Sequence, residues 1–380
     1  MRLTVRRCHI LQQNRINETH QVSPVNAFFI VTGSQIVVNI LKFQSVVTED
    51  AEQDAWISVL LMGLGTLLVM WCILRLLNNE QNYGQPDLFS IHKRFFGSWI
   101  GNLLNLAIIL YEALGAILYL RAYIEILNVW LFPRLSPLGF AAIFSLLIWT
   151  VVIGGFRTIT GAFFLNFIYL LPLYFINTFI FSDAHFSNLL PMADHSMADL
   201  SNSLIKASSC FLGFESILFY YPFIKRPKLA VKWCYFGLLN TTYTYLLLTI
   251  QGLVYFNIGE LRTLVWPVLT FWKSIHFPLV DRFEYIGIIY WLTVLIPNVS
   301  LGAWIVSRGV KQIAPVIKQK YALVAFLLIL TAVCAIMQSR PQIEWINALI
   351  SHIGFYLVFV YIPFLLIWQW LLKIKEGKSQ

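Results

Sequence analysis

The sequence predicts an all-α integral membrane protein of about ten transmembrane helices, and three observations carry that reading. Hydrophobic residues make up 58% of the 380-residue chain, charged residues only 12%, and the mean hydropathy is +0.71. A soluble domain carries about a quarter charged residues, so this chain has too little polar surface to keep a water-soluble fold apart. The 13 Trp and 17 Tyr suit the belts of amphipathic rings at membrane–water interfaces.

A bilayer-spanning helix needs about 20 largely apolar residues. Ten segments qualify, near 24–46, 55–77, 96–121, 138–156, 161–181, 204–222, 232–256, 284–306, 321–338 and 345–372. The gaps between them are short, the longest being 78–95, 182–203 and 257–283. The last gap holds an apolar stretch at 261–274, broken by Pro267 and too short to span, which reads as an interfacial or re-entrant helix. The chain thus divides into a tail over 1–22, a ten-helix domain over 23–372 and a second tail over 373–380. The first tail is polar and basic, without the apolar core of a secretory signal.

Orientation follows from the distribution of Lys and Arg. With the N-terminus inside, nineteen fall in the tails and inner loops, six outside (Arg121, Arg134, Arg262, Lys273, Arg282, Arg340), and Lys42 and Lys206 within spans. The outer loop at 48–54 holds four acids and no base. Both termini are therefore expected in the cytoplasm. The net charge of +9 reflects these topology signals and not a nucleic-acid surface. The five cysteines are scattered, without CxxC or Cys/His metal spacing, so no disulfide framework, metal or cofactor is indicated. HExxH, GxSxG and Walker motifs are missing and the seven histidines are dispersed, which argues against an enzyme.

Ten helices form two sets of five, 24–181 and 204–372. Because five is odd, the second set starts on the opposite face, so a repeat between the halves must be inverted. This is the layout of LeuT-type 5+5 transporters, whose site lies where discontinuous helices break near the midplane. The first helix carries Thr32-Gly33-Ser34-Gln35 and then Asn39 and Lys42. The sixth carries Ser208-Ser209-Cys210 and Gly213-Phe214-Glu215-Ser216. Each opens its half and is its most polar-interrupted helix, although interhelical packing also uses such residues.

Several stretches resemble the B subunits of bacterial spore germinant receptors, a branch of the amino acid/polyamine/organocation transporter superfamily. They are Val22-Ser23-Pro24 with Phe28-Phe29-Ile30 and Gly33-Ser34-Gln35-Ile36, Gln53-Asp54-Ala55-Trp56, Phe211-Leu212-Gly213-Phe214-Glu215 with Tyr221-Pro222, and Trp266-Pro267 through Phe283-Glu284. The similarity runs from about Ser23 to the end of the tenth helix. One departure stands out: where the family's first helix has two glycines and then a proline, this chain has Val37, Asn39 and Gln44. Glycine lets backbone unwind and approach a ligand, whereas a β-branched side chain is restricted, so ligand capture by bare first-helix backbone is in question.

Gln35, Val37, Val38 and Asn39 of the first helix, with Gly213, Phe214, Glu215 and Ser216 of the sixth, are the candidate ligand residues. Intramembrane ionisable groups normally mark function, so Glu215 reads as a proton-coupling or charge-reading carboxylate. Alternatively it caps unwound amides or pairs with Lys206 or Lys42. Glu112 shares a face of the third helix with Ser98, Asn102, Asn105 and Tyr119, a stripe that either points at the breaks or glues helices together. Asn298 and Ser300 follow Pro297 in the eighth helix and either join a ligand or cation site or satisfy the carbonyl that proline frees. Lys42 either neutralises one of the two glutamates or snorkels to the outer surface.

The resemblance implies a permease-like subunit of a nutrient germinant receptor, in lipid at the spore inner membrane, binding a small nutrient such as an amino acid. It also implies A-type and C-type receptor subunits as partners. A proton-coupled amino-acid transporter and a scaffold subunit with a vestigial pocket remain as alternatives.

Overall fold

The computed structural model describes residues 17–81, 83–177, 184–275 and 282–377. Most of the first tail, with Cys8, therefore lies outside the described residues, as do His276 and Lys378. Among the described residues there is helix but no strand; one isolated parallel bridge joins Val22 to Ile224.

The chain opens with α1 (Asn26–Gln35) and α2 (Phe43–Ala51), joined by a short 3-10 turn at Val38–Lys42. Next come α3 (Ala55–Glu80), α4 (Leu88–Trp130), α5 (Pro137–Ile153) and α6 (Phe156–Ile176). The second half comprises α7 (Met197–Phe211), the single turn α8 (Ile217–Tyr220) and α9 (Pro227–Tyr255). The short α10 (Ile258–Thr263) and α11 (Pro267–Lys273) follow, where one apolar helix was expected over 261–274. Then come α12 (Phe283–Ile313), α13 (Gln319–Ile336), and α14 (Arg340–Tyr356), which runs through a π-turn into α15 (Ile362–Gly377). Among the described residues six stretches are long and apolar enough to cross a membrane: Val38–Glu80, Leu88–Trp130, Phe156–Ile176, Phe283–Ile313, Gln319–Ile336 and Arg340–Ile374.

Local chemistry sets several boundaries. Asp87 begins α4 by accepting from Ser90 N at 2.9 Å, and Ser196 with Asp199 closes a capping box on α7, each satisfying otherwise orphaned first-turn amides. Pro stands in the first turn of α5, α9, α11 and α14, where its missing N–H costs no helical bond. Helix α4 is longer than the expected 96–121 because it begins with an arm that turns at Gly97 (φ 77°). Helix α12 is likewise longer than 284–306.

Large apolar side chains point out of the bundle, Trp99 at 81% and Phe175 at 73% exposure, as a hydrocarbon solvent permits. The centre is close-packed around Phe43, Phe211 and Tyr245, whose rings lie 4.3–6.5 Å apart.

The charges gather at two ends of the helices. At one, Lys206 pairs with Glu49 (2.8 Å) and Asp50 (2.7 Å), and Arg262 with Glu52 (2.9 Å). Buried Asp54 there accepts from the backbone amides of Ala193, Asp194 and His195 at 2.7–3.2 Å. At the other, Val22 N donates to Phe223 O and Lys225 N to Val22 O (2.8 and 2.9 Å), while Arg157 reaches Thr19 O (2.8 Å). Arg308 pairs with Asp87 (2.5 Å) and Arg94 with Glu80 (2.6 Å).

Candidate functional site

The helices expected at 24–46 and 204–222 are both interrupted, near the polar stretches at which the sequence suggested breaks. Helix α1 stops at Gln35; Ile36 (φ −91°, ψ 82°) leaves the helical region and Val37 (φ −120°, ψ −156°) is extended before the chain turns into Val38–Lys42. Negative φ values suit β-branched residues, so this break forms without the two glycines of the family pattern that the chain resembles, here Val37 and Asn39. Helix α7 stops at Phe211, Leu212 is extended, and Gly213 takes φ 120°, ψ −31°, a conformation that favours glycine.

The breaks pack on each other. A Cβ on Gly213 would stand 2.2 Å from the Ser34 carbonyl oxygen, so only a hydrogen fits between these backbones. Side chains of neighbouring helices take up the carbonyls that the breaks release. Tyr245 Oη lies 2.8 Å from Gln35 O and 3.0 Å from Cys210 O, bridging the two breaks from α9. Asn298 Nδ2 donates from α12 to Gly33 O (3.0 Å) and to Val294 O of its own helix (2.8 Å). Glu215 Oε2 accepts from Gly213 N (2.6 Å), capping the amide exposed where α7 ends, and its Oε1 is 3.4 Å from the Tyr111 hydroxyl.

Beside this junction lies a cavity of about 60 Å³. It is lined by Ser34 and Asn39, by Tyr111, Glu112 and Tyr119 of α4, by Ser209, Gly213, Glu215 and Ser216, by Asn298 and Gly302, and by Asn347 and Ser351 of α14. Of the residues that the sequence nominated, Asn39, Glu112, Gly213, Glu215, Ser216 and Asn298 meet there. The other five lie off the wall. Gln35 turns to Val31 O (2.8 Å) and Thr241 Oγ1 (3.2 Å). Val37, Phe214 and Ser300 are buried among packed side chains, and Val38 borders a second, adjoining cavity.

The polar stripe on α4 divides. Glu112 and Tyr119 face the cavity, whereas Asn105 binds His92 Nδ1 (2.7 Å) and Phe89 O (3.1 Å), tying the arm of α4 to its long segment. Neither lysine considered as a partner for the glutamates reaches the cavity wall. Lys206 is held by Glu49 and Asp50, and Lys42 lies in the second cavity with Glu125, Arg340 and Glu344. Asn39 and Asn347 border both cavities and are hydrogen-bonded across their boundary at 3.4 Å. The contribution of α14 was missed. The four-residue spacing of Asn347 and Ser351, which puts two polar groups on one helical face, was the available signal. Among the described residues no cluster of three or more His, Cys, Asp or Glu has metal-binding geometry.

The sequence profile of the spore germination proteins matches residues 21–343. The chain belongs to that family. It is 36% identical to spore germination protein GerQB of Bacillus cereus over 361 residues, covering 94% of this chain and 97% of the relative. Spore germination protein A2 of Bacillus subtilis (strain 168) is 24% identical over 290 residues, covering 74% and 78% of the two chains. Spore germination protein YndE of the same strain is 24% identical over 362 residues, covering 92% and 96%. With six apolar stretches of spanning length among the described residues, the chain is a helical membrane protein of this family of permease-type proteins, which is not a family of enzymes.

Proposed function

We propose that this protein is the permease-like membrane subunit of a spore nutrient germinant receptor, and that it binds a small nutrient such as an amino acid in the cavity between α4, α12, α14 and the two helix breaks. One observation carries the reading: two interrupted helices meet at Gly213 and Ser34 beside a polar cavity. Irregular backbone at membrane depth is tolerated where it is buried in protein or lines a cavity, and ligand sites of transporters are built from such breaks. Here side chains satisfy the carbonyls of Gly33, Gln35 and Cys210 and the amide of Gly213, so the wall presents carboxylates, amides and hydroxyls to a ligand. Binding that favours one arrangement of the breaks would shift a conformational equilibrium, by no more than the difference in affinity for the two states.

The architecture consistent with this role is a LeuT-type inverted repeat, with halves over 24–181 and 204–372 and broken first and sixth helices. The protein would sit in the spore inner membrane with both termini in the cytoplasm, beside A-type and C-type subunits of the receptor. Spores deleted for this chain, screened against panels of nutrients, test the reading. Loss of response to a defined nutrient, restored by the intact gene, is expected; unchanged germination on every nutrient would overturn it. The paired carboxylates Glu112 and Glu215 also favour a second reading, proton-coupled transport of the same nutrient. Uptake into liposomes holding the purified chain separates transport from binding alone.

A further inference from the structure

Glu112 and Glu215 both line the central cavity, and among the described residues no Lys, Arg or His does. Glu215 spends one oxygen on Gly213 N and has a long contact with Tyr111 on the other. No hydrogen bond or ion pair reaches the Glu112 carboxylate among the described residues. The intramembrane cations near enough to compensate are engaged elsewhere: Lys206 with Glu49 and Asp50, and Lys42 beyond the Asn39–Asn347 contact, beside Glu125 and Glu344. Two carboxylates that share a poorly solvated site repel, and a positive charge between them relieves this. An independent feature points the same way. Asn298 is only 6% exposed and commits its Nδ2 to Gly33 O and Val294 O, so its Oδ1 is left as a further acceptor at the cavity wall.

We infer that the cavity takes its ligand through a protonated amine, seated among the Glu112 and Glu215 carboxylates and Asn298 Oδ1. This rests on the proposed nutrient site and specifies its chemistry. An ammonium group has three donors and no acceptor, which matches the two carboxylates and Asn298 Oδ1. A hydroxyl in place of the amine can donate to a carboxylate but brings no positive charge to offset the two carboxylates, so it is a poor substitute.

The test uses the full chain, purified in detergent at fixed ionic strength and at each of two buffered pH values, with thermal unfolding as readout. The probes are methylammonium and ethanolammonium, compared with methanol and ethylene glycol, against a potassium chloride background. The ammonium probes are expected to stabilise the wild type at concentrations about ten- to a hundredfold below any effect of the alcohols. Glu112→Gln should lose that preference. Equal effects of amines and alcohols would overturn the inference, and this wild-type comparison stands even if Glu112→Gln fails to accumulate. An amine effect unchanged in Glu112→Gln would overturn it as well. So would stabilisation that follows only acidification and is the same with every probe, because a proton shared by the two carboxylates would then be the compensating charge. A neutral nutrient whose response depends on this cavity would sink the amine inference and leave the nutrient site standing.

Discussion

Gly213 and Ser34 touch backbone to backbone: a Cβ at position 213 would come within 2.2 Å of the Ser34 carbonyl oxygen. That approach ties the end of α7 to the end of α1, and everything lining the cavity is arranged around it. It also makes position 213 a sharp test, because both space and dihedral angle (φ 120°) exclude a side chain there.

Gly213→Leu should abolish the nutrient response while the protein still reaches the membrane. Gly213→Ala should already impair it, since the obstacle is backbone and cannot swing aside. Dose–response curves for spore germination, with membrane abundance measured by blotting, give the answer. A normal curve for the leucine variant would place the ligand elsewhere.

Glu215 performs two tasks that substitution can separate. Its Oε2 caps Gly213 N, which needs only an acceptor oxygen, and its charge faces the cavity. Glu215→Gln keeps an acceptor and the size, so it should accumulate normally yet lose the response. Glu215→Leu leaves a buried amide without a partner, at a cost of about 1–3 kcal/mol, and should accumulate poorly. A glutamine variant with wild-type nutrient sensitivity would mean that the residue is structural.

Tyr245 holds both breaks through one hydroxyl, 2.8 Å from Gln35 O and 3.0 Å from Cys210 O. Tyr245→Phe preserves the ring packing against Phe43 and Phe211 but strands these carbonyls. We expect a loss of about 1–3 kcal/mol in stability, visible as a lower unfolding midpoint of the purified protein, and a weaker response at saturating nutrient. An unchanged midpoint would show that the bridge contributes nothing.

Asn298 donates to Gly33 O, a carbonyl of the kind that coordinates sodium in transporters with unwound helices. A neutral amide thus fills a role that a cation could otherwise take. The nutrient response should therefore be the same when sodium is replaced by potassium throughout. Asn298→Asp cannot donate and adds a third carboxylate to the cavity, so it should respond poorly. Strict dependence on sodium in the wild type would contradict this account.

Topology is tested by labelling. Thr48 is buried, so the suitable outer position is exposed Glu49, paired with exposed Lys228 for the inner face. A cysteine at position 49 should react with an impermeant maleimide in sealed cells, and one at 228 only after permeabilisation. Reaction of position 228 from outside would reverse the assignment drawn from the distribution of basic residues.

The sequence by itself determined the class of the protein. Runs of apolar residues long enough to cross a bilayer, with most charges in the gaps, leave a helical membrane protein as the outcome, because lipid requires every backbone group to be bonded within the fold. It also indicated where the first and sixth expected helices break, since Gly33-Ser34-Gln35 and Gly213-Phe214-Glu215 interrupt otherwise apolar helices. Six of the eleven nominated residues line the cavity.

The tertiary structure decided what those residues do, for reasons that a linear pattern does not contain. Val37 forms its break in an extended conformation that needs no glycine. Gln35, polar and next to the break, is drawn to Thr241 by the packing of α9 on α1. Asn347 and Ser351 lie more than 130 residues from the nearest other part of the cavity wall except α12, and only folding brings them there. Lys42 and Lys206 could pair with either glutamate on paper; the path of the chain puts Lys206 against Glu49 and Asp50 and Lys42 across the Asn39–Asn347 contact. Charge balance in a cavity is a property of distance, and distance between helices is fixed by packing alone.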